Sequence, residues 1–215
     1  GIGNLDTFNK KFPNQMMSGT IGNFDGLHLG HQAILSQVKD KASKSSSASL
    51  VIFTEPHASE YFAAADAGSI PPPRICPWRE KVKLLKNFGI DFAFFLQFNK
   101  SLKIMTPENF LDNILAQLQL KHLIIGDDFR FGAQRAGDFE LLKNWGINSG
   151  TNVIAHETVS NNGERRSATR IRQALLNNDF DLAEKLLGRP YTFSGKVVHG
   201  QHLGRTINIP TANIW

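Results

Sequence analysis

The chain has 215 residues, 41% hydrophobic and 20% charged, the balance of one full globular domain and part of a second rather than of a disordered chain. No run approaches the roughly 18 apolar residues that a bilayer crossing needs, and the opening Gly1-Ile2-Gly3-Asn4-Leu5-Asp6 has no charged start followed by an apolar stretch, so neither membrane insertion nor a secretory signal is expected. The net charge of +5 is local, with 16 basic against 15 acidic side chains in residues 1–162 and 8 against 4 in residues 163–215, a grip for a few phosphates around Arg165, Arg166, Arg170 and Arg172 rather than a nucleic-acid track.

In chain order, strand-like segments are predicted at residues 19–23, 50–53, 92–96, 123–125 and 152–155. Helical spacing predicts helices at 29–41, 79–87, 107–118 and 138–145, with Thr106 as N-cap and Pro107 at the first helical position of the third. The alternation implies an α/β fold, a Rossmann-like doubly wound parallel sheet covered on both faces, with ligands at the carboxyl ends of the strands. The serine-rich residues 43–49 are expected as a solvated connector. Residues 63–73, a small-residue run leading into Pro71-Pro72-Pro73-Arg74, are expected as a long functional or mobile loop. The single cysteine, Cys76, closes no intrachain disulfide and fits a cytoplasmic setting. After Thr169 two short helices are predicted at 169–177 and 180–187, then a β-like run from Tyr191. The domain boundary is expected at Gly188-Arg189-Pro190, dividing 1–187 from 188–215. A start without Met and an end at Trp215 inside an apparent strand suggest a fragment.

The most informative segment is Gly22-Asn23-Phe24-Asp25-Gly26-Leu27-His28-Leu29-Gly30-His31, at a strand-to-helix turn. Glycines let backbone approach a ligand and the helix-start amides attract anions, so phosphate is the expected guest. His28 and His31, three apart, share one face if both lie on the first turn, and each can donate to a phosphate oxygen as charge develops. A metal bound through His-x-x-His and a purely structural pair are the alternatives weighed. For Asp25 the alternative is an Asx turn. Ser167-Ala168-Thr169-Arg170-Ile171-Arg172 begins a helix with hydroxyls and arginines suited to phosphate, or is an ordinary capped helix. In Gly126-Asp127-Asp128-Phe129-Arg130-Phe131-Gly132, two phenylalanines around an arginine form either a wall for a flat ring or core packing.

These segments, with Thr54-Glu55-Pro56-His57, Pro71-Pro72-Pro73-Arg74 and Arg135-Ala136-Gly137-Asp138, resemble in order those of the bacterial bifunctional riboflavin kinase and FMN adenylyltransferase (FAD synthetase) family of the nucleotidyltransferase superfamily. The resemblance implies an ATP site at Gly22, Asn23, Phe24, Asp25, His28, His31, Ser167, Thr169 and Arg170, with His28, His31, Asp25 and Arg170 catalytic. It implies flavin contacts at Asp128, Phe129, Arg130 and Phe62. Here Ala168 stands where the family has a second serine, and Phe53-Thr54-Glu55 departs from Phe directly before Glu-Pro. Residues 188–215 resemble the opening of the riboflavin kinase module, where Thr211 and Asn213 match nucleotide and Mg²⁺ positions, while Asn208 and Ile209 depart from the family's glycine and frequent phenylalanine.

The implied reaction transfers AMP from ATP to FMN, giving FAD and pyrophosphate, with Mg²⁺ as cofactor and its ligands unassigned. The full-length protein would also phosphorylate riboflavin, but this chain lacks most of that module. Alternatives are nucleotidyl transfer to another phosphate acceptor, or a non-catalytic flavin- or nucleotide-binding module. Neither nucleic acid nor membrane is an expected partner, and a homo-oligomer is left open.

Overall fold

A computed structural model describes residues 5–66, 68–126, 128–156 and 167–198 and the backbone of 213–214. Five parallel strands form its centre: β1 (Met17–Ile21), β2 (Ala48–Glu55), β3 (Phe92–Gln97), β4 (Leu120–Gly126) and β5 (Asn152–His156), in the order β3-β2-β1-β4-β5. All five residues of β1 are buried, as expected of a central parallel strand covered on both faces. The chain moves outward from β1 to β3, then returns to the other side of β1 as β4. This reversal leaves a crevice at the carboxyl end of β1, where ligands bind in doubly wound sheets.

The helices are α1 (Leu5–Lys11), α2 (Leu29–Lys44), α3 (Ala58–Ala65), α4 (Trp78–Phe88), α5 (Lys100–Ile104), α6 (Pro107–Asn113), α7 (Phe139–Ser149), α8 (Ala168–Leu176) and α9 (Phe180–Leu187). Two short strands, β6 (Val197–Val198) and β7 (Asn213–Ile214), pair antiparallel. One apolar cluster, with Met17, Leu50, Leu123 and Phe110, fills one face of the sheet; another, with Phe24, Leu35, Val51, Phe53 and Leu85, fills the other. A satellite cluster of Ile75, Ile171, Leu186 and Leu187 joins α8 and α9 to the loop before α4. At the edge, Phe8 of α1 and Phe12 just after it pack on Phe92 of β3, with ring centroids 5.4 and 5.0 Å apart.

All five predicted strands are present, each with somewhat different ends, and Thr106 caps α6 by accepting from the Asn109 N–H, with Pro107 at the helix start. Several expectations need correction. The helix predicted at 107–118 stops at Asn113 and continues after Ile114 as a 3₁₀ turn, Leu115–Gln117. The loop predicted at 63–73 begins inside α3, because its alanines favour helix. Residues 43–49 are not a solvated connector: α2 runs to Lys44 and β2 starts at Ala48. Ser47 and the buried Ser18 share a 2.7 Å hydrogen bond. Helices α1, α3 and α5 are not among the predicted elements.

Candidate active site

The site starts where β1 ends. Residues 25–27 form a 3₁₀ turn, and His28 then N-caps α2, its Nδ1 accepting from the His31 N–H at 3.3 Å. An accepting Nδ1 leaves Nε2 as the protonated nitrogen of a neutral His28 ring. The His28 and His31 rings stack with centroids 3.6 Å apart, so both do lie on one face of the first turn. Burial, then the neighbouring His28 and Lys81, hold His31 well below the ordinary value of 6.5, and His31 is therefore a neutral ring near pH 7. Phe24 differs from its neighbours: its side chain is buried in the core and touches the His31 ring at 5.0 Å, so only its backbone can serve a nucleotide. Gly26 has a φ of 73°, and a Cβ there would meet Ile75 Cγ2 at 2.7 Å. No other residue fits this position without strain.

Asp25 is buried and binds the loop before α4. It accepts from the Ile75 N–H at 3.1 Å and the Cys76 N–H at 3.2 Å. It also pairs with Arg172 of α8, whose Nη2 lies 2.6 Å from Oδ2. Its carboxylate therefore ties three segments together, a wider role than a local Asx turn. Arg172 also donates to the Pro73 carbonyl at 2.7 Å. One residue further, Arg74 grips Glu55 in a bidentate fork at 2.7 and 3.0 Å and donates twice to Glu60. This pairing holds Glu60 below the usual carboxylate range. The proline-rich segment is thus fastened at its C-terminal end, at Pro73 and Arg74, by charge-assisted bonds.

Beneath the turn lies Lys81, fully buried on α4. Its Nζ donates to the Asn23 carbonyl at 2.6 Å, lies 3.1 Å from His57 Nε2 and sits 4.5 Å from the centroid of the Phe53 ring. Burial lowers the Lys81 ammonium below its ordinary range and, with Lys81 and Arg74 nearby, does the same to His57.

Asn23, Asp25 and His31 from the β1 turn border a cavity of about 240 Å³, whose other walls include His57 and Ser59 near the start of α3 and Ala168 and Arg172 of α8. Of the expected site residues, only those three line it. Ser167 instead N-caps α8, accepting from the Arg170 N–H at 3.4 Å, and Thr169 is exposed. Arg170 and Arg172, two apart on a helix, project in different directions, and it is Arg172 that reaches the cavity. The expected flavin residues lie outside it. Phe62 is 46% exposed and meets Tyr61 and Phe98 edge-on under the Lys103 ammonium. Phe131 is a core residue, and Phe129 stacks on it at 5.8 Å while flanked by the exposed Asp128 and Arg130. Thr211 and the side chain of Asn213 lie outside the described residues.

The FAD synthetase family model matches residues 10–170, three quarters of the chain and all of the turn just described. The chain belongs to the FAD synthetase family. A riboflavin kinase model matches residues 187–215. The bifunctional riboflavin kinase/FMN adenylyltransferase of Escherichia coli K12 is 42% identical over 91% of this chain and 61% of its own length; that of Pseudomonas fluorescens is 43% identical with the same coverage. The chain thus spans about three fifths of these relatives. A crystal structure described as a macrolide-efflux protein from Streptococcus pneumoniae superposes with a TM-score of 0.78 at 30% identity, over 96% of this chain and 66% of that one. No helix among the described residues is long and apolar enough to cross a membrane.

For a member of the FAD synthetase family, the donor set for a metal is sparse. Among the described residues no group of three or more His, Cys, Asp or Glu side chains could hold an ion, and the Asp25 carboxylate is occupied by two amides and a guanidinium. These residues therefore do not make a protein cage for Mg²⁺. One site residue, Lys81, escaped sequence reasoning although it carried a signal: it sits three after Trp78 and four before Leu85, on the apolar stripe of α4, where a lysine is out of place. His57 was singled out only within the Thr54-Glu55-Pro56-His57 segment, with no role of its own.

Proposed function

We propose that this chain transfers AMP from ATP to FMN, giving FAD and pyrophosphate. One observation carries this: the β1 turn, through Asn23 and His31, and the start of α8, through Ala168 and Arg172, border a single cavity at the carboxyl end of the sheet. Two helix starts facing one space favour a polyphosphate. At about 240 Å³ the cavity suits a phosphate chain rather than a whole dinucleotide, which leaves the flavin ring to the surface outside it. Phe62, Phe129, Asp128 and Arg130 are the residues we assign there.

In the reaction an oxygen of the FMN phosphate attacks the α-phosphorus of ATP. A new P–O bond forms, the bond to the β-phosphate breaks, and pyrophosphate leaves with the electron pair. No protein nucleophile is needed. His28 donates from Nε2, neutral His31 donates from its ring, and Arg172, backed by Asp25, adds fixed positive charge where the leaving group's charge grows. ATP enters as its Mg²⁺ complex, the ion belonging to the substrate. We further assign residues 1–187 to this activity and 188–215 to the beginning of a riboflavin kinase module, in a cytoplasmic protein.

The test is His28→Ala, with the fold of the variant checked by its thermal midpoint because His28 also caps α2. Turnover should fall about 100-fold, with a much smaller change in the KM for ATP. Equal FAD formation by the variant at saturating substrate removes His28 from the reaction.

A further inference from the structure

The turn at residues 23–28 carries three left-handed residues, two of them not glycine: φ is 48° at Phe24, 73° at Gly26 and 45° at Leu27. Side chains with a Cβ resist this region, and such backbone persists only where its surroundings hold it. Three long side chains from separate parts of the chain do so, each through a carbonyl of the turn. Lys81 on α4 donates to the Asn23 carbonyl at 2.6 Å. Arg189, just past α9, donates from Nη2 to the Gly26 carbonyl at 2.9 Å. Gln32 on α2 donates to the Leu27 carbonyl at 2.9 Å and to the Leu187 carbonyl at 2.9 Å.

We propose that Lys81, Gln32 and Arg189 are positioning residues that together clasp this turn from behind and preset it for nucleotide, an inference that rests on reading the turn as the ATP phosphate site. In a trans peptide the C=O and N–H point in opposite directions. Pulling the Asn23 and Leu27 carbonyls onto the clasp therefore turns the Phe24 and His28 N–H groups away from it.

The Arg189 arm is itself held. Gly188 has a φ of 70°, and a Cβ on it would fall 2.5 Å from Leu29 Cδ2, so the chain leaving α9 presses on the first turn of α2. Beyond Arg189, Tyr191 packs on the Ile75, Ile171, Leu186 and Leu187 cluster, and the Thr192 hydroxyl donates to Glu80 at 3.2 Å. The segment expected as a plain domain boundary thus touches the candidate nucleotide turn through the Arg189–Gly26 hydrogen bond and the contact of Gly188 with Leu29.

The test uses the 215-residue chain with Arg189→Met, Arg189→Lys and Gln32→Leu. Backbone hydrogen exchange over residues 23–31 is followed without nucleotide, beside kcat and KM for ATP. Arg189→Met and Gln32→Leu should each speed exchange in that segment about tenfold, with β2 and β4 unchanged. KM for ATP should rise more than kcat falls, and Arg189→Lys, which keeps a donor, should lie between wild type and Arg189→Met. If Arg189→Met loosens the whole domain, Arg189→Lys decides by the same criterion. Exchange within about twofold of wild type in all three variants overturns the clasp. Because exchange is read without substrate, a wild-type chain that makes no FAD contradicts the proposed function and leaves this outcome separately readable.

Discussion

The turn after β1 and the segment after β4 both lie at carboxyl ends of neighbouring strands, yet they are held in different ways. The first is fixed by polar contacts from distant parts of the chain: Lys81, Arg172, Arg189 and Gln32 all close on residues 23–28. The second is held mainly by its own backbone and one core side chain: Phe131 is buried and exchanges two backbone hydrogen bonds with Gly137, the Ala133 N–H donates to the Met105 carbonyl, and the Asp128 and Arg130 side chains are exposed. If the proposed function holds, the two regions divide the work of nucleotidyl transfer: the turn after β1, where phosphate charge would be held, is preorganised by polar contacts, and the segment after β4 presents a more open, partly apolar surface to the ring.

The strongest way to break this contrast is Asp25→Ala, which strands Arg172 and frees the Ile75 and Cys76 amides. It should cost about 3 kcal/mol of stability, measured by urea unfolding, where an equivalent change at the exposed Asp128 should cost less. A loss below about 1 kcal/mol for Asp25→Ala would show that the turn is not held by its carboxylate.

A change of pH sharpens the contrast next. His31 and His57 are both held below the ordinary 6.5, chiefly by burial, so just below that pH the unfolded chain binds protons that the folded chain excludes. Their stabilisation is in place above pH 6.5 and is lost as pH falls toward the folded values. Glu60, lowered by Arg74, acts in the same direction further down: its contribution is present above 4.5 and is lost as pH drops below it. The thermal midpoint should therefore fall between about pH 7.5 and pH 5, and His57→Asn should flatten the slope. A midpoint that is level over that interval contradicts the assigned protonation states.

Smaller effects are expected at the segment after β4, the proposed flavin end. Arg130→Ala should raise the KM for FMN about fivefold and leave the KM for ATP and the thermal midpoint nearly unchanged, since Arg130 is exposed and, among the described residues, donates to the neighbouring Phe129 carbonyl. Smallest of all is Ala168→Ser, which restores a hydroxyl in the cavity wall. It should lower the KM for ATP about two- to threefold, read from initial rates.

The same contrast shows what could be read from the sequence. The strands and most helices were legible because burial on both faces leaves apolar runs and amphipathic helices leave three-and-four spacing. The stacked pair of histidines was legible too, since a cap and the third residue beyond it share a face. Long-range polar contacts left little trace. Nothing local to Arg172 says that it rather than Arg170 meets Asp25, 147 positions away. Nothing local to Arg189 connects it with Gly26. Phe24 and Phe131 looked like candidates for ligand contact and are core residues, because composition alone does not separate an aromatic wall from an aromatic interior.

The most direct test of this account is pyrophosphate release from ATP, measured with the wild-type chain in the presence and absence of FMN. AMP transfer to FMN requires steady release that depends on FMN and matches FAD formed mole for mole; release that is indifferent to FMN, or no release with both substrates saturating, would contradict it.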